Sequence, residues 1–307
     1  MSGGDFLMLT FAPLLAGVLA ALACSLSGTF LLLRRQALLG DAVSHVVLPG
    51  IVAGFLVSGR IATVPMLLGA AGAAVVAVAL IEVVRRAGRV EPGAAMGIVF
   101  TTMFALGVLL LEQTGASGVH LDVEHALFGN LESLIWIEGG AGWGALADPG
   151  ALAGLPPELG RMALAVAVAG GAVALFWRPL VLATFDPGHA AAVGLPVGAI
   201  SLGLTGLAAL AAVTAFQAVG AILVIAMFIC PAAAARLMTD SLKVQVALTL
   251  ALAAGSAAAG FWAAGALPPL LGHAQAVSAA GMIAVVSGTA LALAAAFGPR
   301  RHRAAAG

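Results

Sequence analysis

Residues 32–50 read LLRRQALLGDAVSHVVLPG. Two adjacent arginines, Arg34 and Arg35, interrupt a chain that is otherwise oily on both sides: residues 6–33 and 42–59 contain no Asp, Glu, Lys or Arg. Each run approaches or exceeds the roughly 20 residues a helix needs to cross the hydrocarbon core of a bilayer. The stretch therefore reads as a turn between two membrane-spanning helices, and it places an aspartate (Asp41) and a histidine (His45) where the second helix begins its apolar run.

The rest of the chain has the same character. Of 307 residues, 62% are hydrophobic and 8% are charged, against roughly 25% charged in an ordinary soluble domain. So few charges cannot build a wettable surface, and lipid is the solvent for most of the chain. The formal net charge is zero, which excludes a bulk field drawing the protein to nucleic acid. Abundant Ala and Gly suit close helix–helix contact in a membrane, although a GC-rich genome produces the same bias. Cys24 and Cys230 lie in apolar runs without paired spacing and read as small buried residues. No basic segment precedes the first apolar run and no small-residue cleavage site follows it, so that run is expected to be the first span rather than a removable signal.

Further charge-free runs cover 61–81, 92–111, 162–177, 187–235 and 244–299. The fourth of these holds two helices, about 199–217 and 219–237, hinged near Gln217–Gly220. The last holds two more, about 244–263 and 276–298, divided at Pro268–Pro269. The expected fold is an all-α polytopic bundle of about nine spans, or eight if one is re-entrant, forming a single domain over 1–307. With the N-terminus outside and nine crossings, eleven of the thirteen basic residues fall on the inner side, leaving Arg60 and Arg161 outside. The C-terminus is then cytoplasmic. Acids fall mostly outside, where they either raise the local cation concentration or simply solvate the outer loops.

Residues 114–160 form the one long hydrophilic stretch, expected as an outer loop region. His120, Asp122, Glu124 and His125 (HLDVEH) make a second group of possible metal contacts there, or a plain solvated segment. The spacing is not the HExxH of a zinc protease. His273 reads as structural, and neither His189 nor His302 reads as a ligand.

Asp41 and His45 stand at i and i+4, one face of a helix. A charged Asp at the bilayer centre costs about 2.5–3.5 kcal/mol, so such a residue is expected to face the bundle interior and to have a task. Carboxylate oxygen and imidazole nitrogen supply half of a four-ligand site for a first-row dication. Pro49 lacks an N–H and frees the carbonyl of His45, four residues back. A structural Asp–His hydrogen bond, or a pair at the interface beside Arg34 and Arg35, accounts for the same spacing. Gly50 and Gly54 make a small-xxx-small face, suited either to internal packing or to dimerisation. Pro231 frees the carbonyl of Met227 and, with Gln217 and Pro49, marks a candidate flexing point.

The run GTFLLLRRQALLGDAVSHVVLPGIVAGFLV resembles the first signature of the zinc/manganese permease family of ABC importers. AAMGIVFTTMFALGVLL, VHLDVEHALFGNL, FDPGHAAAVGLPVG and FQAVGAILVIAMFICPAAAARLMTDSL resemble its later segments in order, so the likeness spans roughly residues 8–298. Departures are an enlarged loop at 139–160 and LLGHAQ near 271–275. The resemblance implies a type II importer permease fold and a second permease copy enclosing a path through the inner membrane of a bacterium. It further implies Asp41 and His45 as metal contacts, a cytoplasmic ATP-binding subunit and an extracytoplasmic metal-binding protein. The transported ion, zinc or manganese and possibly iron, is cargo, with no resident cofactor.

The residues agree where they speak. The chain has no GxxxxGK[ST] phosphate loop, so ATP would be bound by a partner and the chain itself is not expected to be an enzyme. Residues 184–198 fall on the inner side. There Asp186 is a candidate N-cap for a helix opening at Pro187 and carrying Gly188 and Ala191, with Gly194 and Pro196 ending it after about two turns. A short rigid helix of this kind could couple to an ATPase, or be an ordinary capped connector. Rival readings are a permease for a siderophore- or cobalamin-type chelate, an intramembrane metalloenzyme using Asp41 and His45, and an ion-coupled secondary transporter.

Overall fold

The computed structural model describes residues 3–59, 63–113, 131–270, 272 and 277–299. Every regular element among them is helical. α1 spans Gly3–Leu33, with one π-helical turn at Leu7–Phe11. α2 is Leu38–Ser58, α3 Thr63–Gly88 and α4 Pro92–Gln113. After short 3-10 turns come α5 (Pro149–Ala153), α6 (Pro157–Leu175), α7 (Trp177–Phe185) and α8 (Pro187–Ala192). α9 is Val197–Met238, α10 Leu242–Leu270 and α11 Ala279–Phe297.

Eight stretches of the described residues are long and apolar enough to cross a bilayer, two of them within α9. α2 is a further helix of 21 residues, about 30 Å at 1.5 Å per residue. The all-helical, multi-span architecture read from the charge-free runs is therefore present.

Two boundaries differ from that reading, and the expected hinge is present at a single residue. Pro268 and Pro269 lie inside α10, which continues to Leu270. Proline's fixed φ is itself helical, so two prolines in a last turn remove hydrogen bonds without turning the chain. The hinge expected near 217–220 is a break at Gly220 alone (φ 77°, ψ 168°), flanked on both sides by helix. That conformation is almost exclusive to glycine. α6 begins at Pro157, ahead of its apolar run, and Glu158 and Arg161 pair along its first turn at 3.9 Å.

The chain divides into two compact units: residues 1–29, 124–171 and 214–307, and residues 30–123 and 172–213. In the first, Gly260 of α10 lies so close to α11 that an added Cβ would strike the Ile283 backbone. Gly28 of α1 stands equally close to the Phe228 carbonyl. Small residues permit such backbone approach, a main source of helix adhesion in lipid. The stretch 131–153 is folded onto the start of α1 by Trp136, fully buried. Its indole N–H donates to Ala151 O (2.9 Å) and its backbone N–H to Met8 O (3.0 Å). Glu132 Oε1 accepts from Ala279 N at 2.6 Å, capping α11. The stretch before α6 is thus a set of short helical turns pinned at both ends. Cys24 and Cys230 are free thiols, the first buried.

In the second unit, α2 packs on α3 and α4. Gly50 and Gly54 face α3, where a Cβ at Gly50 would come within 2.5 Å of Gly69 O and 2.6 Å of Ala70 Cα. The small-xxx-small face serves internal packing against α3.

Candidate metal site and coupling turn

The turn between α1 and α2 is built by α1 ending in a Schellman pattern. Gln36 N–H donates to Leu31 O (2.8 Å) and Arg35 N–H to Leu32 O (3.0 Å), with Arg35 at φ 58° in the left-handed position usually given to glycine. A non-glycine residue there costs roughly 1–2 kcal/mol, so the reversal is held by its surroundings. Arg34 is half-buried, and burial pushes its guanidinium below the ordinary value. Its Nη1, like Gln36 Oε1, has no hydrogen-bond partner among the described residues.

α2 follows at Leu38. Asp41 and His45 are its fourth and eighth residues, one turn apart, so both positions belong to the opening two turns rather than to mid-helix. Their side chains lie outside the described set. What the structure describes is their support. Ala42 is 2% and Val46 1% exposed. Val46 sits in a core with Ala77 of α3 and Val99 and Met103 of α4. One turn on, Pro49 is buried, and a Cβ on Gly107 of α4 would stand 2.8 Å from Pro49 Cδ. α2 is clamped from two sides immediately beyond positions 41 and 45. A carboxylate in the first turn is favoured by the helix dipole, which lowers the cost reckoned for a mid-bilayer charge.

Among the described residues no three His, Cys, Asp or Glu side chains gather into a metal-holding group. His120, Asp122, Glu124 and His125 lie outside the described residues, as do His273 and His302.

The turn at 184–198 has the form its residues suggest. Asp186 Oδ1 accepts from His189 N–H at 2.8 Å. Pro187 opens α8 and Gly188 and Ala191 lie within it. Gly194 (φ 84°) reverses the chain. α8 has six residues, close to the two turns anticipated. α7 packs on α8, and Trp177 at the head of α7 meets Phe30 of α1 edge-on, with ring centroids 6.1 Å apart.

A cavity of about 430 Å³ lies within this second unit, lined among others by Gln36, Glu82, Arg85, Ser201 and Thr205. Its walls join the turn before α2 to the first residues of α9, which follow α8. Glu82 and Arg85 pair at 2.7 Å. Residue spacing pointed to the capped turn and the Asp–His positions, but not to Gly69, Gly107 or Gln36. A glycine inside an oily run is the one signal that could have raised the first two.

A clamped helix with Asp and His near its start, a capped short helix and a set of long apolar helices are the parts of a membrane-embedded subunit. Residues 7–136 and 151–298 match the ABC 3 transport family, and the chain belongs to that family. The match skips 137–150, which overlaps the enlarged loop at 139–160. The manganese transport system membrane protein MntD of Bacillus subtilis is 37% identical, covering 92% of this chain and 90% of its own length. The zinc transport system membrane protein TroD of Treponema pallidum is 36% identical over 73% of this chain and 58% of its own. Among solved structures, PsaBC from Streptococcus pneumoniae in complex with Fab aligns at TM-score 0.76 and 25% identity, over 95% of this chain and 92% of that one. A putative metal-chelate type ABC transporter in an inward-facing conformation aligns at 0.66 and 15% identity, over 95% and 87%, a likeness of fold alone.

Proposed function

We propose that this chain is the membrane-spanning subunit of an ATP-driven importer of divalent metal ions, manganese or zinc. The observation that carries the reading is the Asp41–His45 spacing at the start of a helix clamped by Val46 and Pro49, in a chain whose relatives are named for manganese and zinc transport. It acts in a bacterial cytoplasmic membrane with its N-terminus outside and its C-terminus cytoplasmic, the orientation that the arginine bias favours. A cytoplasmic ATP-binding subunit, an extracytoplasmic metal-binding protein and a second permease copy complete the machine.

The ion, released from the outer protein, is taken by Asp41 and His45 together with ligands beyond them. His120, Asp122, Glu124 and His125 guide it in or dock its donor. On the inner side, Asp186 through Gly194 receive the push of the ATPase. The cavity walls that join the start of α9 to Gln36 carry that push toward the head of α2. Pro49, Gln217 and Pro231 are the flexing points, with Gly220 as the break already formed. Imidazole and carboxylate must be deprotonated to bind metal, so uptake falls as the medium is acidified. The test is uptake of manganese and zinc into proteoliposomes with ATPase and donor protein in excess. Asp41→Ala and His45→Ala are each expected to lose at least about tenfold, a 1.4 kcal/mol change. Wild-type uptake in both variants would end the reading.

A further inference from the structure

The buried face of α10 changes character along its length. Near the end that carries Lys243 it runs Gln245, Thr249, Ala253 and Ser256, and beyond Gly260 it is apolar. Gln245 and Thr249 are fully buried and Ser287 of α11 is 1% exposed. Neither Nε2 nor Oε1 of Gln245, nor Thr249 Oγ1, has a hydrogen-bond partner among the described residues, while the Ser287 hydroxyl reaches the Cys230 thiol.

That is not how this chain treats other hydroxyls. Thr29, Thr101, Thr102, Thr184 and Thr289 each donate to the carbonyl four residues back, at 2.6–2.9 Å. Such back-bonding satisfies a hydroxyl inside a helix without any neighbour. Thr249 departs from it despite complete burial, and Gln245, one turn away, leaves both ends of its amide open. Polar groups in hydrocarbon must be satisfied by something.

The register follows from two contacts. Gly298, just past α11, stands 3.1 Å (as a built Cβ) from Leu237 O, just before α10, and Gly260 abuts Ile283. The two helices are therefore antiparallel, and Ser256 is level with Ser287, which lies beside Cys230. From Gln245 to that level is about 16 Å along the axis. No charged side chain is among the buried residues of either helix. Amide and hydroxyl both donate and accept, and the small neutral ligand that does the same is water.

We propose that Gln245, Thr249 and Ser287 line a narrow hydrated seam, entering this unit from the Lys243 end of α10 and holding water between α10 and α11. Bound water lets these groups change partners as one helix shifts on the other, where a direct bond would fix the register.

The experiment is hydroxyl-radical footprinting of the full chain in nanodiscs, read at the two native thiols by mass spectrometry. Water held beside Ser287 exposes Cys230, and its oxidation is expected to run about tenfold faster than that of buried Cys24, since susceptibility follows access. Cys230 is itself partly exposed, so the deciding comparison is with Gln245→Leu/Thr249→Val, in which the Cys230 rate should fall severalfold from its wild-type value while that of Cys24 stays the same. An unchanged Cys230 rate in the double variant overturns the proposal. Thr249→Val alone keeps the test open if the double variant does not fold. A hydroxyl that binds water lowers Tm when removed, whereas a Tm unchanged or raised means a dry seam and likewise overturns it.

Discussion

Gly69→Ala and Gly72→Ala make a matched pair on α3. Both replace glycine by alanine in the same helix, and each gains about 0.8–1.0 kcal/mol of helix propensity. A Cβ at Gly72 meets nothing within 4 Å, whereas a Cβ at Gly69 would run into Gly50 O and stand 3.0 Å from both Cα and N of Gly54. These are backbone atoms of α2, which cannot swing aside, so the two helices must part by about 1 Å. Overpacking of this kind costs about 1–3 kcal/mol. Gly72→Ala should be neutral or stabilising, and Gly69→Ala should melt below it by on the order of 2–10 °C, measured by thermal unfolding in one detergent. Metal uptake separates the pair further, because displacing α2 displaces Asp41 and His45. Equal Tm values for the two variants would refute the close α2–α3 crossing on which the site's rigidity rests.

Removing the α8 cap by Asp186→Ala costs about 1 kcal/mol locally, so global Tm should barely move while metal-stimulated ATP hydrolysis in the assembled complex falls. A loss of Tm with intact stimulation would make α8 a plain connector. Gly220→Ala forces a side chain into a conformation at φ 77°, ψ 168° that costs roughly 1–3 kcal/mol, and a thermal melt should place it well below wild type. Glu132→Ala strips the acceptor from Ala279 N–H and should destabilise by about 1.5–3 kcal/mol. Glu132→Gln, which keeps an oxygen, should recover most of that in the same melt.

Local features were legible because each is decided within a few residues. Charge-free runs of spanning length mark helices wherever they fall, and the Arg34–Arg35 pair marks the turn between α1 and α2. Asp186 before Pro187 caps a helix by reaching a backbone N–H three residues on. Asp41 and His45 share a helical face by spacing alone. The errors at Pro268–Pro269 and at the start of α6 were errors of helix ends, where neighbours decide.

What the tertiary structure alone decided is which distant residues meet. Nothing in its own neighbourhood tells Gly69 from Gly72, yet one touches α2 and the other touches nothing. Glu132 and Ala279 are 147 positions apart, and Trp136 finds its partners on α1 and α5. The place of Asp41, in the first turn of α2 rather than at its middle, depended on where α1 stopped. In a chain this uniformly apolar, burial against protein and exposure to lipid use the same residues. Hydropathy therefore determines where helices run, and only close approach of small residues and scattered polar contacts determines how they pack.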